Sequence, residues 1–220
     1  MILQDVVKQC CIRTGDPLVN SLFKDEDNAK EWLGYISQAG HAIVKEHNWS
    51  VLKRFGSFTA DGEKTEYDLP DDFDHLLSLS LYNTTKGQDI LFINDSDFIK
   101  LDSSDDDFYT IAGGKFVLSK PLTAGTVVKF VYGTNAICKN RNEYKPHFTD
   151  DYDEFLLTPE LLILKAVALR AVNLGFEDAG SRDNDYRTAL TLEMNTDGGN
   201  VYYNKFEEDF EIKTTPRDWR

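Results

Sequence analysis

The apolar period of this chain changes twice, from helical to strand-like and back to helical. That order restricts the fold to two helical segments flanking one β-rich segment. Leu3, Val6, Val7, Cys10 and Cys11 recur at helical spacing, and Gly15-Asp16-Pro17 supplies a stop. Asp25-Glu26-Asp27-Asn28 then offers a cap and an acidic first turn. Behind it Trp32, Tyr35, Ile36, Ala39, Ile43 and His47 share one stripe, which predicts a second helix to about Glu46.

From Ser50 the period becomes two. Phe55, Ser57 and Thr59 alternate with Gly56 and Phe58, and Leu77, Leu79 and Leu81 alternate with Ser78, Ser80 and Tyr82. Phe116-Val117-Leu118 and the run Val127 to Tyr132 predict two more strands, with a hairpin turn at Gly113-Gly114 and a short helix near Asp95 to Leu101. Helical spacing returns at Thr158-Pro159-Glu160, with Thr as cap and Pro at the first helical position. The helix it opens is apolar on most of its circumference and stops at Gly175. A further helix over about Ala179 to Asn195 breaks at Gly198-Gly199.

The expected fold class is α+β. N- and C-terminal helices (1–49 and 157–199) form a helical bundle, 50–156 inserts a small antiparallel β-sandwich or barrel, and 200–220 is an extended C-terminal tail. The tail carries Val201, Tyr202, Tyr203, Phe206, Phe210, Ile212 and Trp219 among charges, without a clean period. It cannot bury these side chains within itself, so it docks on its own domain or on another chain.

Charge narrows the partners. The chain has 24 Lys and Arg against 38 Asp and Glu, a formal net charge of −14. Gripping duplex DNA or an anionic membrane takes clustered basic residues, so neither is an expected ligand. The apolar run Leu161 to Leu169 is interrupted by Lys165 and is far short of the roughly 20 residues a bilayer requires. No basic stretch followed by an apolar one opens the sequence, and its three cysteines build no disulfide framework, which suits a reducing cytoplasm. Between Asp61 and Asp107 stand fourteen acidic residues and three lysines, a net of −11. A subunit polarised in this way suits an assembly with one acidic surface and one interface surface.

Signals for chemistry are sparse. His41, His47, His75 and His147 include no pair at the i, i+4 spacing that aligns two metal ligands on a helix. There is no P-loop, dinucleotide fingerprint or nucleophile elbow. Asp71-Asp72-Phe73-Asp74 and Asp105-Asp106-Asp107 lack the spacing of a calcium loop and read as solvated loop faces. Trp49 reads as a plug at the junction between the second helix and the first strand. Tyr67, Leu69, Pro70 and Phe73 read as an extended entry to a turn, because Pro fixes its own φ and biases the residue before it toward β.

The order of these blocks carries a resemblance. Two helices ending in His47-Asn48-Trp49, then Leu52-Lys53-Arg54 entering a strand, then Tyr67-Asp68-Leu69-Pro70-Asp71-Asp72-Phe73-Asp74, resemble the tailed-phage head-to-tail adaptors. These include the podovirus tail tubular protein A group and related neck proteins. The opening Leu157-Thr158-Pro159-Glu160-Leu161-Leu162 of the long helix is similar too, and the resemblance covers about Ile2 to Asn195. It implies a structural virion protein without enzymatic activity or cofactor, assembled in the host cytoplasm. Such a protein forms a ring, typically dodecameric, between the portal and the tail or nozzle, with DNA as passing cargo and no membrane. On this reading Tyr202, Tyr203, Phe206, Phe210 and Trp219 anchor on the portal or a neighbouring subunit. The alternatives are another neck or tail-completion protein, a carboxylate-based tail-associated hydrolase, and an acidic binding module that mimics DNA.

Overall fold

A computed structural model describes residues 1–24, 27–100 and 107–197. In chain order the elements begin with α1 (Leu3–Thr14), α2 (Asp27–Lys45) and a 3-10 turn over Ser50–Leu52. Then come β1 (Lys53–Thr59), β2 (Glu66–Asp68), β3 (Phe73–Leu76), β4 (Ser80–Asn83), β5 (Gln88–Phe92) and α3 (Asp95–Phe98). They continue with β6 (Phe108–Ala112), β7 (Lys115–Leu118), β8 (Val127–Thr134), β9 (Cys138–Asn140), β10 (Glu143–Lys145) and β11 (Glu154–Phe155). The last two are α4 (Pro159–Leu174) and α5 (Ala179–Thr196). The chain divides into a helical unit, Met1–Val51 with the residues from Ala136 onward, and a β unit, Leu52–Asn135.

The helical unit is built on α4, which packs against α1, α2 and α5. Leu161, Leu162, Ile163, Ala166, Val167 and Ala168 are all buried, as an apolar circumference requires. Against them lie the stripe of α1 (Leu3, Val6, Val7, Cys10, Cys11) and the stripe of α2 (Trp32, Ile36, Ala39, Ile43). Gly15 and Gly175 adopt φ of 75° and 69° and end α1 and α4 with left-handed caps. The first turn of α1 has no side-chain cap at Ile2. Its orphan amides are met instead by carbonyls, Leu3 donating to Asp153 at 2.8 Å and Gln4 to Asp151 at 3.0 Å.

In the β unit eight strands form one sheet in the order β1-β8-β4-β5-β6-β7-β2, with β3 also paired to β8. The eight-residue β8 makes this possible. Antiparallel β1 runs along one of its edges, and β4 and β3 pair with it as well, through Lys129 and Val128 and through Gly133 and Tyr132. The sheet curls until its two ends nearly meet, and Phe58 on β1 stacks on Tyr67 of β2 with ring centroids 4.2 Å apart. Inside lie Tyr109, Phe116, Phe130 and Tyr132 with Leu81, Ile90 and Val128. Phe116 touches Phe130 edge-on at 4.8 Å and Tyr109 at 6.0 Å, the offset geometry that aromatic quadrupoles favour. Gly56 is required on β1, because a Cβ there would stand 2.3 Å from the Phe130 ring.

This architecture corrects the expected fold class. Among the described residues the protein is a mixed α/β molecule with five α-helices and a large, nearly closed, barrel-like sheet, not a helical bundle with a small antiparallel sandwich inserted. Two causes stand out. The segment between β5 and β6 holds α3 and is long enough for a crossover, so β6 returns parallel to β5. Residues 136–156, read with the β-rich segment, instead form a three-stranded sheet, β10-β9-β11, within the helical unit. Its strands are three, three and two residues long, too short for alternation to reveal. The expected extended tail, 200–220, lies outside the described residues. Among the described residues no helix is long and apolar enough to cross a membrane.

Candidate functional site

The acidic runs that read as solvated faces are partly structural ties. Asp72 accepts from the Tyr132 hydroxyl at 2.7 Å and the Thr134 hydroxyl at 2.9 Å, pinning the turn before β3 to β8. Burial and the Asp72 carboxylate together push the Tyr132 phenol up to about 12. Asp107 is clasped by the Lys86 ammonium at 2.7 Å and the Lys120 ammonium at 3.3 Å. Burial alone would raise its carboxyl, but the two lysines outweigh it and the net direction is down. These carboxylates are engaged in holding strands.

The helical unit has its own polar ties. Asp153 has a fully buried side chain that takes the Thr149 N–H at 2.6 Å, the Asp150 N–H at 2.9 Å, Lys145 Nζ at 3.0 Å and Asn140 Nδ2 at 3.1 Å. Burial would raise this carboxyl too. The Thr149 amide, the Lys145 ammonium, the Asp150 amide and the Asn140 side chain hold it below the ordinary range. Arg170 on α4 reaches Asp16 at 3.0 Å and Glu31 at 3.6 Å, with its guanidinium 5.1 Å from the Trp32 ring centroid. His41 on α2 meets His147 with 3.2 Å between Nε2 and Nδ1. Burial, His147 and then Lys45 lower its pKa.

The residues read from sequence fall in different places. Trp49 is buried in the helical unit, donating its indole N–H to the Ile43 carbonyl at 2.9 Å and meeting the His47 ring edge-on at 5.0 Å. His47 Nε2 stands 3.2 Å from Asp197 Oδ2, and Ser50 donates its amide at 2.9 Å and its hydroxyl to the same carboxylate. Asp197 is thus shared between Ser50 and His47. The serine hydroxyl bonds the carboxylate, so this is not the order of a nucleophile-base relay. In the β unit Tyr67 and Phe73 are core rings, Phe73 lying 5.8 Å from Tyr132, and Leu69 packs beside them. The Pro70 carbonyl accepts from Phe73 N at 2.9 Å and so closes the turn. Tyr202, Tyr203, Phe206, Phe210 and Trp219 lie outside the described residues. Among the described residues no group of three or more His, Cys, Asp and Glu is placed to hold a metal.

What the structure adds is surface. Register places Phe55, Val131, Tyr82, Leu91 and Phe108 on the face of the sheet opposite the core. Phe55 pairs with Val131, Lys129 with Tyr82, and Leu91 with Phe108. Phe55 is 87% exposed, and Tyr82 and Leu91 about half. The alternation at Phe55 to Thr59 already sets Phe55 opposite Phe58. Only the cross-strand register shows that the outer position belongs to an apolar stripe. The helical unit exposes Ile12, Val172, Leu174 and Leu192. It also holds an open cleft of about 450 Å³ lined by Leu156, Leu157, Thr158, Glu193, Thr196 and Asp197 over the buried Trp49 and Leu161, with a surface more polar than apolar. The β unit is less acidic than its loops suggest. Its eight basic residues, Lys53, Arg54, Lys115, Lys120 and Lys129 among them, offset fourteen acids to a net of −6.

No protein-family model matches the chain, and a search of the curated proteins finds no significant match.

Proposed function

We propose that the chain is a structural subunit of a tailed-phage neck, a head-to-tail adaptor that forms a ring between portal and tail and lets DNA pass through. The reading rests first on the resemblance carried by His47-Asn48-Trp49, Tyr67 to Asp74 and Leu157 to Leu162. One observation of the folded chain carries it further. Each unit leaves large apolar side chains in solvent, Phe55, Tyr82 and Leu91 on the sheet and Ile12, Val172 and Leu192 on the helices. Exposed apolar surface of this kind is what an assembling subunit reserves for neighbours. A ring needs two different surfaces on every copy, since head-to-tail contacts are heterologous.

In this reading the protein is not an enzyme, its site is the virion neck, and its partners are the portal, a tail or nozzle protein and further copies of itself. Tyr202, Tyr203, Phe206, Phe210 and Trp219 supply aromatic anchors toward the portal or a neighbouring copy. A net charge of −14 per copy keeps the phosphate backbone from sticking as DNA passes, over the roughly 8 Å that physiological salt leaves unscreened. Cryo-electron microscopy of the particle encoded with this chain tests the proposal. A ring of this chain between portal and tail is expected, and a neck from which it is absent contradicts the proposal.

A further inference from the structure

Among the described residues every positive φ but one belongs to a glycine, and the exception is Arg141 at 55°. Arg141 and Asn142 form the two-residue loop between β9 and β10, where Asn140 pairs with Glu143. Only the first of the two has a positive φ, which makes the turn type II′, and glycine is the residue that position prefers. The matching loop between β6 and β7 is Gly113-Gly114. A side chain held in the left-handed region raises the backbone energy, so Arg141 stands where a glycine would relax the turn.

The base of this hairpin is fixed. Asn140 Nδ2 and Lys145 Nζ both reach the buried Asp153 carboxylate, at 3.1 and 3.0 Å. At the tip Arg141 is exposed and makes no hydrogen bond or ion pair among the described residues. Arg13, Arg170, Arg182 and Arg187 each hold a carboxylate, and Arg54 donates to the Lys53 carbonyl. A rigid base under an unpartnered guanidinium is a contact already organised for an acidic partner.

The β unit carries the complementary group. Tyr82 of β4 and Asp89 of β5 are directly opposite in register, and they share the outer face because Leu81 and Ile90 beside them point into the core. Tyr82 is 46% exposed, and Asp89 is exposed and makes no ion pair among the described residues. A guanidinium binds such a pair twice, with hydrogen bonds to the carboxylate and its plane against the ring. The chain uses the same combination internally, where Arg170 reaches Asp16 at 3.0 Å with the Trp32 ring 5.1 Å away. Lys129 lies opposite Tyr82 on the other side, two strand spacings or about 10 Å from Asp89, and its like charge opposes docking.

We propose that Arg141 of one copy docks between Asp89 and Tyr82 of a second copy. The contact joins two different surfaces, so it is heterologous and repeats from copy to copy. It rests on the self-association in the neck reading and not on a place between portal and tail.

Sedimentation velocity of the full-length chain at low salt, from micromolar to millimolar concentration, tests this. The wild type is expected to self-associate, and added salt to weaken the association. Arg141→Glu and Asp89→Lys should each weaken it at least about tenfold. An equimolar mixture of the two variants should restore it, since each brings the native residue that the other lacks. A wild type that stays monomeric overturns the proposal, and so does a mixture that associates no better than its components. Arg141→Gly separates the contact from the fold. Relief of the positive φ offsets the freedom glycine adds to the unfolded chain, so Tm should hold or rise while association falls as in Arg141→Glu. A lower Tm, or association at the wild-type level, would overturn the assignment of Arg141. Portal rings loaded equally by the wild type and Arg141→Glu would refute this contact and leave the neck reading standing. Association restored in the mixture beside bare portal rings would do the reverse.

Discussion

The two units are held together by different physics. In the β unit rings meet rings: Tyr67, Phe58, Phe116, Phe130, Tyr132 and Phe73 form a chain of contacts with centroids 4.2 to 5.8 Å apart. In the helical unit aliphatic stripes on α1, α2 and α4 are accompanied by buried polar ties at Asp153 and Arg170. Area burial and ring contacts depend little on pH, whereas a buried carboxylate with four partners depends on its charge. Acid and charge-removing substitutions should therefore act on the helical unit through Asp153 and on the β unit through the Asp107 clasp, whereas changes in volume should act most on the ring core of the β unit.

The largest effect is expected where the aromatic core is most crowded. Phe116→Ala removes a fully buried ring touched by Phe58, Phe73, Tyr109 and Phe130. It should cost about 3 to 5 kcal/mol in urea unfolding, with faster hydrogen exchange confined to 52–135. A comparable loss across the helical unit would break the comparison.

Asp153→Ala should cost about 3 kcal/mol, since it strands the Lys145 ammonium and the amides of Thr149 and Asp150. The folded carboxyl titrates below its ordinary 3.8, so this contribution is present above 3.8 and is lost as pH falls through the folded value. Acid unfolding of the variant should lack that component.

Gly56→Ala drives a methyl into the Phe130 ring and should cost about 1 to 3 kcal/mol. Thermal unfolding measures it, and a neutral result would mean that the ring can move aside.

A smaller effect concerns His41, whose folded pKa lies below the ordinary 6.5. The unfolded chain then takes up the proton first. The pair's contribution is complete above 6.5 and declines as pH falls through the folded value. His41→Gln should flatten the stability profile just below 6.5, and an unaltered slope would show that the contact with His147 carries no linkage.

Smallest of all, the thiols should be silent. Burial pushes Cys10 and Cys138 up to about 12, so neither should react with a thiol reagent at about pH 8 until the chain unfolds.

α1 and α2 are legible because each displays its own apolar period, whereas α5 buries only Tyr186 and Leu190 and leaves Leu192 exposed. All five apolar positions read on α1 are buried, and Thr158-Pro159 opens α4 at its first turn. The sheet was legible strand by strand but not as a whole. Alternation marks which side chains of a strand share a face. It does not show that β8 serves β1, β4 and β3 together, or that β6 returns parallel to β5. The stretch Leu77 to Tyr82 shows the limit, since one alternating run is divided between the connection that follows β3 and β4. At the level of sites, Asp72 and Asp107 looked like solvated carboxylates because their partners, Tyr132, Thr134, Lys86 and Lys120, are distant along the chain. The cleft was invisible for the same reason: its floor joins Trp49 to Leu161, and only packing around α4 brings them together.

The proposal that this chain is a ring-forming neck subunit is most directly tested by native mass spectrometry of the purified chain mixed with a phage portal assembly encoded alongside it. The account predicts that many copies load onto each portal ring in one fixed stoichiometry. Portal rings that stay bare across the micromolar range would contradict it.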